Sequence, residues 1–370
     1  MPKALVIGRG VAGLTCARLL AQQGWEIEIC KISSSSSGSP ISPTVVLNDI
    51  TCYLLQDIWQ LEDKFWQNFY VLNQRRVRWG MEASVLNIPQ LSMVINGNCL
   101  VKLLEERLLQ AYNQQVYLNE SPLIDKPTTF EGYDWVIDAG GRKSAIAENL
   151  GKGKRHRFGC RCILSSEVTL TQTSEQNACW METVADGWIF LAPLGEHRAL
   201  LQCMVPIVRE EPSQMLIDLL EKSHSIKSLV DSFLGSITVF QAFPQILTSL
   251  CEPKWIAVGD AAISFDPISG DGTGYAIRGA ILATSVINGI TSQSLLNNQY
   301  LHHYTQRLHK TFLSHLQECL KYYSAAFSSS AWKAEIKLIQ DFLYGNKHGL
   351  ITADHFAYRL NKLNLVPITD

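Results

Sequence analysis

Gly259-Asp260, with Gly270, Gly272 and Gly274 downstream, is the set of residues in this chain best suited to grip a ligand. An apolar strand, Ile256 to Val258, runs into Gly259-Asp260. A glycine-dense turn follows, and a helix-like run begins at Tyr275. Residues without a Cβ let the backbone approach a flat ligand closely, and a helix start offers unpaired N–H groups to its electronegative edge. Asp260 places one carboxylate where a sugar-like hydroxyl donates to it.

A second glycine cluster stands near the N-terminus. Ala4-Leu5-Val6-Ile7 is a short apolar run suited to a parallel strand buried on both faces. Gly8-Arg9-Gly10-Val11-Ala12-Gly13 follows at once. Leu14 to Gln23 then has helical apolar spacing, Gly24 makes a C-cap, and Trp25 to Cys30 alternates like a second strand. Strand, G-x-G-x-x-G, helix and strand in succession are the context the dinucleotide fingerprint requires. The tight turn falls to Gly8, close approach to a pyrophosphate to Gly10, and helix-on-strand packing to Gly13. The acid expected at the end of the second strand, to hold the adenosine ribose, would be residue 31, which is Lys31. A lysine there suits a 2′-phosphate; otherwise the ribose is held by other groups.

A third segment, Tyr133-Asp134-Trp135-Val136-Ile137-Asp138-Ala139-Gly140-Gly141-Arg142-Lys143-Ser144, reads as a strand ending in a glycine turn. With the three motifs in this order, the chain resembles the FAD-dependent monooxygenases of the p-hydroxybenzoate hydroxylase type, which include the tryptophan halogenases. The resemblance covers most of residues 1 to about 310. It implies an FAD cofactor with its pyrophosphate on Gly8, Gly10, Val11, Ala12 and Gly13, its adenosine end near Lys31, and Asp138 and Gly140 beside the dinucleotide. It further implies that Gly259 and Asp260 meet the ribityl chain and that Pro267, Gly270, Gly272, Thr273 and Gly274 flank the isoalloxazine. A helix starting near Gly274 would then stabilise negative charge at the N1–C2 edge of the reduced ring. A flavin dinucleotide has no 2′-phosphate, so the ribose is expected to be held without an acid at position 31.

Composition agrees. With 370 residues, 46% of them hydrophobic, the chain can bury a large core and hold more than one subdomain. A net charge of −2 argues against a general binder of nucleic acid or anionic membrane. No apolar run approaches the roughly 18 residues of a membrane-crossing helix, and the first strand begins too early to leave room for a signal peptide, so a cytoplasmic protein is expected. The ten cysteines are scattered without a C-x-x-C pair, as free thiols in a reducing compartment are; Cys160 and Cys162 would share a strand face. The nine histidines form no ligand cluster, so no metal is expected, and His302-His303 reads as a solvated helix face.

The expected fold class is α/β. A Rossmann-like FAD-binding domain is drawn from residues 1–48, 98–155 and 252–300; a mixed, mostly antiparallel β-sheet substrate domain comprises 49–97 and 156–251; residues 301–370 form a C-terminal helical segment. Alternation marks strands at Arg75 to Glu82, Cys160 to Thr169, Cys179 to Val184, Leu200 to Val205 and Ile237 to Phe243, with one helix at Pro212 to Lys222. In the tail, Tyr322, Tyr323, Phe327, Trp332, Phe342 and Tyr344 read as packing. Ser33 to Ser37 reads as a loop near the adenine end, and Lys152 to Arg157 as a solvated connection.

Gly187-Trp188-Ile189-Phe190-Leu191-Ala192-Pro193 resembles the halogenases' G-W-x-W-x-I-P strand, with Phe190 in place of the second Trp and Ala192 in place of the Ile. Trp188 and Phe190 point to one strand face and could wall a substrate cavity, as could Trp79; the plainer reading is core. Halogenases use a lysine before a strand Trp to take up hypohalous acid. The corresponding segment here, Gln74-Arg75-Arg76-Val77-Arg78-Trp79, has arginines only. Arginine stays protonated and is a poor nucleophile, so halogenation is disfavoured. Many relatives also carry an FAD-reaching arginine where this chain has Gly97. The D-P-I-S-G-D-G-T-G-Y-A-I-R run and the R-R-V-R-W-G strand are most similar to the LodB/GoxB-like flavoproteins, which help convert a tryptophan of an oxidase precursor into a tryptophylquinone. That resemblance implies a quinoprotein oxidase precursor as partner and reduced FAD reacting with oxygen to oxygenate an indole. Such chemistry needs positioning and water exclusion more than a strong acid or base. No general base stands out; Glu182 and Asp186 are each catalytic or surface charges. Three other activities suit the same motifs: hydroxylation of a free small aromatic, a geranylgeranyl-type flavin reduction, and non-catalytic escort of an oxidase. The electron donor, NAD(P)H or a reductase, leaves no mark in the sequence.

Overall fold

The structure, a computed structural model, describes residues 1–32, 44–80, 84–123, 130–144, 146–149, 153–208, 211–292, 297–345 and 355–368. Its first sheet has six strands in the order Cys251–Glu252, Trp255–Ala257, Trp135–Asp138, Lys3–Ile7, Glu26–Ile32 and Val116–Leu123. The inner pairings are parallel, and the apolar runs predicted for them are buried. Register is what matters for the site. Ile7 pairs with both Cys30 and Asp138, and Ala257 pairs with Asp138. Three glycine turns that are far apart in sequence therefore leave the same edge of one sheet, where open α/β sheets bind their ligands.

The second sheet has eight strands, ordered Val230–Gln241, Cys162–Leu170, Arg198–Val205, Gly187–Gly195, Ala178–Val184, Tyr70–Arg78, Leu86–Asn96 and Thr44–Asn48. It is antiparallel except where Ala178–Val184 runs parallel to Tyr70–Arg78. Alternation sends its side chains to separate buried clusters. Trp188, Met204 and Ile163 join the core that also contains the first sheet. Ile189, Leu191, Leu201 and Cys203 instead pack with Leu216, Leu219 and Leu220 of the helix Pro212–Glu221. Thr44–Asn48, grouped above with the nucleotide-binding residues, is an edge strand of this second sheet, paired with Leu86–Asn96.

The tail is less uniform than its helical spacing suggests. Helices Asn297–Ala326 and Ser330–Tyr344 are followed by a hairpin of Tyr358–Asn361 with Asn364–Pro367. His302 is exposed, but His303 is 2% exposed and lies edge-on to Phe356 and Tyr358, so the solvated reading fails for it. Burial pulls its imidazole down to about 4. The expected loop Ser33 to Ser37 and the end of the run at Glu82 lie outside the described residues. All ten cysteines are free. Cys162 lies in a strand, while Cys160 precedes it with its Sγ near Pro206 O and Glu335, so the two do not share a strand face. Among the described residues, no helix is long and apolar enough to cross a membrane.

Candidate functional site

The three glycines of the first turn meet different demands. Gly8 sits at φ +114°, and a Cβ there would fall 2.2 Å from Ala139 O. Only glycine tolerates both demands. Gly13 packs as tightly, since its Cβ would lie 2.2 Å from Gly8 O. Gly10 differs: it caps the helix Val11–Ala21 in an ordinary extended conformation, and no atom lies within 4 Å of where its Cβ would be. Its own side-chain position is open, and the first amides of the helix lack a side-chain cap. That is an anion cradle. Val11 is half-buried. Ala12 is buried, and its Cβ would lie 2.8 Å from a Cβ placed on Gly259, which joins the first motif to the third. Lys31 is exposed on its strand. Both acids of that strand are taken up elsewhere: Glu26 pairs with Lys3, and Glu28 accepts from the Tyr133 hydroxyl and from Asn119 Nδ2 at 3.0 Å.

Asp138 turns into its own loop. It is fully buried and accepts hydrogen bonds from the Gly140 N–H at 3.0 Å and from Ser144 Oγ at 2.8 Å. Burial pushes its carboxyl up, against these donors and Arg155. Asp138 and the Gly140 amide thus shape the second turn from within. The basic run after this turn was expected to be solvated. Instead, Arg155 folds inward and donates to Ser144 O at 2.7 Å and to Ala261 O at 2.9 Å, tying the second motif to the third. Arg142 donates to Phe243 O at 2.6 Å. Sequence reading missed both roles, because an arginine in a basic run carries no sign of which way it turns.

Asp260 opens onto the cleft: its side chain is reachable by solvent although protein crowds around it. That crowding pushes its carboxyl up, opposed by Arg142 and Arg155. Its carboxyl oxygens can accept from a hydroxyl. Beyond it, Pro267–Ser269 makes a short 3-10 turn capped by Asp266, and Gly270 closes that turn at φ +60°. The next helix, Gly272–Ser292, begins earlier than its apolar spacing suggests. Gly272 has open space at its Cβ position, and Thr273 is half-buried beside it. Gly274 is buried and faces protein, since a Cβ would meet Asp271 Oδ1 at 2.1 Å and Thr51 Oγ1 at 2.5 Å. Asp271 holds this corner by accepting from Thr51 and Asn48 and pairing with Arg278. Gly97, where relatives often carry an arginine, is a buried first residue of the helix Gly97–Tyr112.

Across the second sheet, the face that carries Trp188 includes Arg75, Met181 and Phe190 by register: Arg75 opposes Cys179, Met181 opposes Phe190, and Thr183 opposes Trp188. Trp188 is core, 3% exposed, with its Nε1–H 3.5 Å from Tyr323 Oη. Phe190, Met181, Val77 and Trp79 are only half-buried, and Trp79 Nε1 donates to Tyr322 O at 3.1 Å. Of the three aromatics expected to wall a cavity, Phe190 and Trp79 keep accessible surface and Trp188 backs them. Glu182 points to the other face. It is 1% exposed and accepts from Ser223 Oγ and from the amides of His224, Ser225 and Ile226. Burial opposes its charge, but those donors hold its carboxyl below the ordinary range. Asp186 pairs with Lys222 at the surface. Neither serves as a base in the cleft.

A buried polar network behind the Asp266-Pro267 turn had no sequence signal. Arg161 Nε donates to Asp266 at 2.9 Å and its Nη1 to Glu335 at 2.5 Å, all three essentially without solvent exposure. Tyr323 donates to Asp266 Oδ1 at 2.6 Å, and the Asp266 N–H donates to His315 Nε2 at 2.8 Å. Burial pulls His315 down to about 4, so it is neutral and free to accept. The C-terminal helices therefore hold the turn that abuts the cleft.

These residues fit an FAD-like dinucleotide: an uncapped helix start behind the open Gly10, a reachable carboxylate at Asp260, and a second helix start behind the open Gly272. No family model matches the sequence. The FAD-dependent oxidoreductase LodB of Marinomonas mediterranea is 27% identical over 177 residues, covering 45% of this chain and 47% of LodB. The match thus spans about half the length of that curated relative. Among solved structures, the flavin-dependent halogenase CmlS aligns with a TM-score of 0.78 at 18% identity, over 90% of this chain and 67% of its own. QhpG, a peptidyl tryptophan dihydroxylase essential for tryptophylquinone cofactor biogenesis, gives 0.71 at 18% identity, over 99% and 86%. At such identities the solved structures establish the fold. Over 45% of its length the chain is therefore similar in sequence to LodB, and it has the fold shared by the flavin-dependent halogenase CmlS and the dihydroxylase QhpG.

Proposed function

We propose that this chain binds FAD noncovalently and works as a monooxygenase that oxygenates the indole of a tryptophan in a partner oxidase precursor, a step in making a tryptophylquinone. The observation that carries this reading is the half-buried apolar wall of Val77, Trp79, Met181 and Phe190 on the sheet face that also carries Arg75, which reaches the Gly270 turn. The likeness to QhpG supports a peptidyl substrate. When bound and reduced, FAD supplies two electrons to dioxygen, so that one oxygen atom enters the ring and the other leaves as water with two protons. The chain's own part is to hold and enclose. The amides at the start of Val11–Ala21 would take the pyrophosphate, Asp260 would accept from a ribityl hydroxyl, and the start of Gly272–Ser292 would face the ring's electronegative edge. Apolar side chains on the facing wall orient an indole and exclude water, which this chemistry needs more than a strong base.

Expression of a candidate precursor with and without this chain, followed by mass analysis of the peptide carrying its cofactor tryptophan, tests the reading. Added oxygen is expected only when the chain is present, and is lost in Asp260→Ala. Efficient turnover of free tryptophan or a simple phenol, with the precursor untouched, would sink the proposal in favour of a small-aromatic hydroxylase. A companion assay supplies reduced FAD, oxygen and chloride or bromide with a tryptophan-containing substrate. No haloindole is expected. Arg76 is paired with Glu175 and Arg78 with Glu182, and no guanidinium on that strand can act as the amine nucleophile. Halogenated product above a no-enzyme control contradicts the argument.

A further inference from the structure

Arg75 stands apart from the other two arginines of the strand Tyr70–Arg78. Arg76 pairs with Glu175 and lies over the Trp180 ring at 4.8 Å; Arg78 pairs with the buried Glu182 at 3.4 Å. Both belong to the sheet face turned from the cleft. Arg75, on the opposite face, reaches the glycine turn, where a Cβ on Gly270 would lie 3.6 Å from its Nη2. The turn's own carboxylate, Asp271, is committed to Arg278, Thr51 and Asn48. Opposite Arg75 in register is Cys179, whose thiol burial pushes up and which, as a weak acceptor, takes a hydrogen bond from the Arg75 side chain. Arg75 Nε is buried with no hydrogen-bond acceptor among the described residues.

A guanidinium keeps its charge at any working pH and offers donors in a fixed fork, so one held half-buried with a weak thiol acceptor and no ion pair among the described residues has donors left for a ligand. The helix that begins at Gly272, just past the same turn, adds the positive end of its dipole. Two positive elements thus bracket Gly270. We propose that Arg75 is an anion-binding residue of the cleft, whose guanidinium donates to the N1–C2 carbonyl edge of FAD and stabilises the negative charge that settles there on reduction. Two electrons and one proton enter the ring at reduction; the guanidinium keeps its own protons and acts by charge alone. The inference deepens the FAD reading and rests on it.

The test compares FAD-loaded wild type, Arg75→Lys and Arg75→Met in a sulfite titration. Sulfite adds through its sulfur lone pair to flavin N5 and drives one negative charge onto the N1–C2 edge. The same proteins are photoreduced anaerobically with EDTA as electron donor while the spectrum is recorded. Arg75→Met is expected to weaken sulfite binding at least about tenfold, about 1.4 kcal/mol, and to move the reduced flavin toward its neutral form near neutral pH. Arg75→Lys keeps most of the affinity. Should Arg75→Met fail to load FAD, Arg75→Gln, which keeps donors without charge, enters the same titration with the same expected loss. Unchanged sulfite affinity and reduced spectrum in the uncharged variant at full FAD occupancy overturn the role of Arg75 and leave the FAD reading standing. A wild-type protein that takes up no FAD overturns both.

Discussion

Gly10→Val is expected to yield a folded protein that carries no FAD. Gly10 sits at φ −81° and ψ 178°, a conformation any residue adopts, and no protein atom lies within 4 Å of its Cβ position. The added Cβ meets nothing of the chain within 4 Å. It meets only the space where a pyrophosphate would approach the first amides of Val11–Ala21. Gly8→Ala is the contrasting control. At φ +114°, with Ala139 O 2.2 Å from the new Cβ, it forces the first and second turns apart, and a loss of about 1–3 kcal/mol in the apoprotein is expected. The checks are the flavin-to-protein absorbance ratio of each purified variant and urea unfolding of the apoproteins, since bound FAD itself raises apparent stability. A Gly10→Val protein that stays yellow at wild-type occupancy means the N-terminal turn is not the dinucleotide site.

Removing the charge of Arg161 is expected to cost about 3–5 kcal/mol, the range for breaking a buried pair and leaving its partners uncompensated. Arg161 is fully buried between Asp266 and Glu335, so Arg161→Met strands two carboxylates away from water. Tyr323→Phe removes one neutral hydroxyl from Asp266 and should cost only about 1 kcal/mol. Urea unfolding reads both. Asp266 also caps the turn before Gly270 through Ile268 N–H. An Arg161→Met protein that still folds should therefore hold FAD more weakly than wild type, whereas the Tyr323→Phe protein should be close to wild type. A loss below about 1 kcal/mol for Arg161→Met would show that the network does not carry the join between the C-terminal helices and the turn.

What the chain alone determined was local. Glycine spacing after an apolar run dictates a strand, a tight turn and a helix start, because φ +114° at Gly8 and a bare backbone at Gly10 are demands only particular residues satisfy. Alternation likewise marked the strands of the second sheet, since successive side chains must take opposite faces. Which partner a side chain finds is not local. Arg155 leaving a basic run to join two motifs, and His303 burying against Phe356 and Tyr358, both depend on segments brought in from far along the chain. The same holds for Arg161, Asp266, Tyr323 and Glu335, whose contacts span 57 to 174 residues. A pattern with a period of two or 3.6 residues carries no trace of such pairings. Helix starts are similarly blurred, because the open first turn of Gly272–Ser292 has no apolar face to betray it. Tertiary structure decided which charges are spent on the protein and which, like Arg75 and Asp260, are left facing the cleft. The physical reason is that a buried charge must find a counter-charge or a donor, and only packing brings one within reach.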